Sequence, residues 1–81
     1  MIVTIKILGG AYADVPAWTG HLFDAPVTYL IPEGIVSART SGAAVRMRHD
    51  VAALLDTHDR VEVGAAGWAI RITREASDAS R

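Results

Sequence analysis

The segment that most constrains this chain is its last third. Arg60-Val61-Glu62-Val63 and Trp68-Ala69-Ile70-Arg71-Ile72-Thr73 alternate apolar and polar residues on either side of Gly64-Ala65-Ala66-Gly67. A period of two puts Val61, Val63, Trp68, Ile70 and Ile72 on one face of a β-hairpin. Glu62, Ala69, Arg71 and Thr73 fall on the other. The loop has glycine at both ends, and glycine accepts the positive φ that a chain reversal requires. Trp68 is the largest side chain on the apolar face, so the sequence predicts it to be the keystone of the hairpin. The pattern is architectural and carries no chemistry.

The other elements follow from the same rules. Val3, Ile5 and Ile7 alternate with Thr4 and Lys6, which predicts a strand from Met1 to Leu8, stopped by Gly9-Gly10. Residues 11–20 read as an ordered loop pinned by Tyr12 and Trp18. His21-Leu22-Phe23 reads as a short extended piece and Asp24-Ala25-Pro26 as a turn. Val27 to Ile31 reads as a second strand ended by Pro32-Glu33-Gly34. Residues 35–58 admit two readings. In one, a helix over 43–57, capped by Ser41, gathers Ala43, Ala44, Met47, Val51, Leu54, Leu55 and His58 on one face, with Arg46 and Asp50 one turn apart. In the other, Ile35–Thr40 and Ala43–Arg48 form a hairpin around Ser41-Gly42, followed by a short helix over Val51–Leu55.

The expected fold is therefore α+β: about four strands with one helix (43–57) packed on one sheet face. The alternative is a small β-barrel with a short helix. Residues 1–74 make a single small domain, and the small polar residues of 75–81 a flexible tail.

Composition narrows the function. The chain has 81 residues, of which 51% are apolar, and no cysteine. A domain this small buries a limited core, so the apolar excess predicts a surface covered by a protein partner or a second copy. The absence of cysteine excludes disulfides, thiolate catalysis and cysteine-based zinc sites. A net charge of −1 gives no overall attraction to nucleic acid or to an anionic membrane. The opening run is too short and lacks the basic flank of a leader or a span, which predicts a cytoplasmic protein without a membrane role.

No motif suggests an enzyme. His21, His49 and His58 fit no metal-ligand spacing. The serines and threonines lie in no nucleophile elbow. Gly9-Gly10 and Gly64…Gly67 lack the spacing of a dinucleotide or phosphate loop. The expectation is no catalytic residue, no metal, no cofactor and no small-molecule substrate.

Three residues stand out as interaction candidates. Tyr12 and Trp18 are large aromatics in a Gly/Pro-bounded loop, the residue types that anchor interfaces. Val45 is apolar on the otherwise polar side of the predicted helix. Ile2 and Leu8, on the second face of the first strand, suggest that both sheet faces are covered. Arg39, Arg46 and Arg48 would cluster for nucleic-acid contact if the 35–48 hairpin formed, and would disperse on a helix.

His58-Asp59-Arg60-Val61-Glu62-Val63-Gly64, followed by Trp68-Ala69-Ile70-Arg71-Ile72, resembles the closing hairpin of small tailed-phage head-completion proteins. Those are β-rich connectors that assemble as rings at the portal. The resemblance implies an oligomeric virion component, made in the host cytoplasm, and carries over no functional residue. The expectation from the whole sequence is a non-enzymatic assembly or protein-interaction module. The alternatives are a small nucleic-acid-binding regulator and an inhibitor that masks a host enzyme.

Overall fold

The structure, a computed structural model, describes residues 1–33 and 37–75. The closing hairpin is present: β3 (Arg60–Ala65) pairs antiparallel with β4 (Trp68–Arg74), with Val61 opposite Ile72 and Val63 opposite Ile70. The reversal is tighter than the glycine pattern suggests. Ala65 already pairs with Trp68, so only Ala66 and Gly67 turn the chain. Gly67 supplies the left-handed residue, at φ 91°. Ile70 and Ile72 are fully buried, while Trp68 sits half-buried at the end of the same face. The weight expected of Trp68 thus falls on the two isoleucines.

β1 (Ile2–Gly9) lies beside β4 and completes the center of one sheet, one outer strand of which is β2 (Trp18–His21) and whose order is β2-β1-β4-β3 with every pairing antiparallel. Val3, Ile5 and Ile7 point to the same side as Ile70 and Ile72. The sheet is open, with β2 and β3 as its edges, and is not a closed barrel.

The outer strand β2 is Trp18–His21, inside the stretch expected to be a loop. It pairs with Ile2–Ile5 and is tied across by a 2.9 Å Thr4–Thr19 hydroxyl contact. Glycine in a strand argues against pairing from sequence alone, but Gly20 has a packing reason. The Trp18 ring lies over it, and a Cβ there would meet ring carbons at 2.7 and 2.9 Å. β2 ends halfway along β1. Beyond it the loop after Gly10 takes over, held by Lys6, whose Nζ donates to the carbonyls of Ala13 and Val15. Gly10 has φ 90° and approaches the Gly67 carbonyl so closely that no Cβ fits.

Two further readings need correction. Of His21-Leu22-Phe23 only His21, the end of the outer strand, is extended: Leu22–Asp24 forms a 3-10 turn that buries Leu22. Val27–Ile31 is not a strand: Val27–Leu30 is a single helical turn, α1, entered through Pro26 and closed by Ile31 N–H to the Val27 carbonyl at 2.8 Å. A short apolar run does not distinguish a buried strand from a buried helix. Tertiary contacts decide here, because the turn buries Leu30 completely and sends the Tyr29 hydroxyl to the Pro16 carbonyl at 2.7 Å.

The fork at 35–58 resolves as a helix, α2, from Ala38 to Leu55. It starts five residues before the expected 43 and ends two before 57. Its cap is Ser37, not Ser41: Ser37 is extended and its Oγ accepts the Thr40 N–H at 3.2 Å. Ser41 and Gly42 lie inside the helix, so the hairpin reading fails from Ala38 onward; Ile35 and Val36 are outside the described residues. The predicted stripe is partly correct. Ala44, Val51 and Leu55 are buried against the sheet, Ala43 and Met47 are half-buried, and Leu54 is 46% exposed. His58 lies beyond the helix and is exposed.

The last turn of α2 is fastened to the sheet by Arg74. Its guanidinium donates to the Leu55 carbonyl at 2.5 Å and to Asp59 Oδ1 at 2.8 Å, and its N–H donates to the Asp59 carbonyl. Glu75 N–H still bonds to the Ile2 carbonyl; the expected tail from 76 on is outside the described residues.

Candidate functional site

The sequence-based candidates do not form one site. Trp18 stands on the core side of β2 opposite Ile5, half-buried, with its ring 6.4 Å from that of Tyr29. Tyr12 is half-buried and packs against the same core. Tyr12 pins the loop before β2 to the body, and Trp18 does the same for β2 itself. Val45 is 49% exposed on α2, on the flank towards the 3-10 turn. One turn further along that flank, His49 meets Phe23 edge-on, with centroids 5.1 Å apart, and Phe23 is 53% exposed.

The arginines disperse, as the helix reading requires. Arg39 and Arg46 are exposed and lie on one side of α2, about 20° apart around its axis. Arg48 points elsewhere: its guanidinium donates to the Ala25 carbonyl at 2.6 Å and ties α2 to the turn before α1. Arg48 is therefore a structural clasp within the fold.

The outer sheet face is polar. It carries Thr4, Lys6, Thr19, Arg71, Thr73 and an Arg71–Glu62 ion pair at 2.9 Å, with Arg60 next to it. Ile2 and Leu8 are 39% and 40% exposed there. His58 Nδ1 lies 3.1 Å from the Leu54 carbonyl and 2.9 Å from the Thr57 hydroxyl, so it finishes the end of α2. Among the described residues, no group of three histidine or acidic side chains is placed to hold a metal ion. No helix there is long and apolar enough to cross a membrane.

The feature that sequence reasoning missed is a groove between α2 and the edge strand β3. It is open to solvent and offers a space of about 300 Å³, lined by Ala43, Met47, Val51, Leu54 and Val63 together with Arg46 and Asp50. Helix periodicity placed most of these residues on one face, but it could not separate the half over the sheet from the half overhanging its edge. Among the described residues, neither Arg46 nor Asp50 forms an ion pair.

Beneath the groove runs the free edge of β3. The Asp59 carbonyl accepts from Arg74, so it points inward to β4. Alternation then turns Val61, Val63 and Ala65 inward too, and leaves the N–H and C=O groups of Arg60, Glu62 and Gly64 facing outward. An apolar groove above an open strand edge is a surface suited to receiving another chain. No protein-family model, curated protein or solved structure matches this chain.

Proposed function

We propose that this chain is a protein-interaction module that acts by assembly and not by turnover. The observation that carries this reading is the joint exposure, on one side of the molecule, of the α2–β3 groove and the outward backbone groups of β3. Strand edges left open in this way pair readily with other chains, and natural domains usually blunt them. Here Arg60 and Glu62 are the only charged side chains along β3, and they have opposite signs. The apolar fraction of 51% in so short a chain points the same way.

A ring-forming virion component is the form this function takes if the likeness of residues 58–72 to phage head-completion proteins reflects ancestry. A nucleic-acid-binding regulator is the second reading. It draws support from exposed Arg39 and Arg46, and loses it from the engagement of Arg48 with Ala25. An inhibitor that masks a host enzyme is the third, and would work as a monomer.

Sedimentation at micromolar concentration, paired with a pull-down from source lysate, tests the proposal. The expected result is a mass above the 8.6 kDa monomer or one specific protein partner. A closed ring of several copies would favour the virion component. A strict monomer without a protein partner refutes the module reading. Nucleic-acid binding that falls steeply with salt would replace it with the regulator.

A further inference from the structure

We infer that the occupant of the α2–β3 groove is a second copy of this chain, joined edge to edge through β3 about a two-fold axis at Val63. The inference rests on the interaction-module reading and supplies its partner and register. Three observations fix it.

The first is the hydrogen-bonding phase of the edge. Glu62 and Gly64 present their backbone groups outward, so an antiparallel copy centered on Val63 sets Glu62 against the second copy's Gly64 in hydrogen-bonded pairs. Val63 then faces its own copy in a non-hydrogen-bonded pair. Centering on Glu62 instead would oppose two carboxylates, which disfavours that register.

The second is the charge pattern of the groove. A two-fold axis normal to the sheet keeps both helices on one side and makes the two copies of α2 antiparallel. Val63 lines the groove together with Ala43, Met47 and Leu54, whose midpoint falls between Arg46 and Asp50. An axis there brings Arg46 to the second copy's Asp50, and Asp50 to its Arg46. Two charges without an ion-pair partner among the described residues thus pair twice over. The same operation brings Leu54 to the second copy's Ala43, a large side chain to a small one.

The third is the contrast with the rival register at Val61. It would set Arg60 against the second copy's Glu62, but it moves the axis two strand residues, about 7 Å. That is more than four residues along a helix, which takes Arg46 out of reach of Asp50. The opposite edge is a poorer platform, because β2 has only four residues.

Cysteine scanning tests the register directly, since the chain has no cysteine of its own. A non-hydrogen-bonded pair holds its Cα atoms about 4.5 Å apart, within the range of a disulfide. Val63→Cys should give a covalent dimer under mild oxidation, and Val61→Cys should not. Charge reversal gives a second measurement that does not depend on the cysteine variants folding. Arg46→Asp or Asp50→Arg alone should weaken the dimer by about tenfold or more, and the double reversal should restore it. Cross-linking through Val61 in place of Val63, or a double reversal no better than the singles, overturns the inference. A wild-type dimer indifferent to all these changes also overturns it while leaving the module reading intact. A wild-type monomer overturns it as well, and the pull-down then decides the module reading separately.

Discussion

Arg74 offers the sharpest test of how the two layers are joined. Its side chain makes two bonds of unequal value. The one to Asp59 involves a carboxylate side chain that is 88% exposed, and exposed ion pairs contribute only about 0–1 kcal/mol. The one to the Leu55 carbonyl is partly buried and meets the last residue of α2, where a cation also favours the helix dipole. Hydrogen bonds from charged donors contribute about 1.5–3 kcal/mol. Arg74→Met keeps the backbone bond to Asp59 and much of the side-chain volume, so it should cost about 2 kcal/mol, chiefly through Leu55. Asp59→Ala should cost less than about 1 kcal/mol. In a domain of this size 1 kcal/mol shifts Tm by about 4–8 °C, so Arg74→Met should lower it by about 8–16 °C. Urea unfolding followed by far-ultraviolet circular dichroism, at one fixed protein concentration, measures both variants and their double. If Asp59→Ala is as costly as Arg74→Met, the surface pair dominates and the helix-end clasp is wrong. If Arg74→Met falls within about 0.5 kcal/mol of wild type, which is typical of an ordinary surface change, neither bond matters.

Two further perturbations probe the sheet. Ile5→Ala removes a fully buried side chain between Trp18 and Ile72 on the neighbouring strands and should cost about 3–4 kcal/mol by chemical denaturation; a loss below about 1 kcal/mol would place the core elsewhere. Gly20→Ala puts a Cβ against the Trp18 ring, so the indole must move, and tryptophan fluorescence and Tm should both change; an unaltered emission spectrum would show that the ring does not rest on Gly20.

Legibility in the sequence followed how local each deciding interaction was. The closing hairpin and β1 were readable because period-two alternation acts over neighbouring residues and the burial of Ile5, Ile7, Ile70 and Ile72 obeys it. α2 was readable as a helix but not in its bounds. Gly42 reads as a breaker, yet it sits on the exposed side with nothing near its missing Cβ. Its cost of about 1 kcal/mol is one the helix can carry. The true cap, Ser37, stands a full turn upstream of the residue that Gly42 made attractive. β2 and α1 were misread because their reasons are tertiary. Gly20 serves the Trp18 ring, and Val27–Leu30 coils because Leu30 and Tyr29 find their partners that way.

The candidate surface was hidden for a related reason. Leu54 and Leu55 are adjacent on one apolar stripe, yet one is buried and the other 46% exposed. The difference depends on where the sheet stops. β3 is the outer strand because β4 inserts between it and β1, a pairing between residues more than half the chain apart, from Gly9 with Ala69 to Val3 with Arg74. No window of residues around α2 contains that fact. Once β4 occupies the center, β3 must present its outward backbone groups, and α2 must overhang them with the half of its stripe that the sheet cannot cover. A long-range pairing at one end of the chain thus leaves a helix in the middle of it half-covered. That geometry connects the fold to the proposed interaction surface, and Arg46, Asp50 and Val63 are the positions where it can be tested.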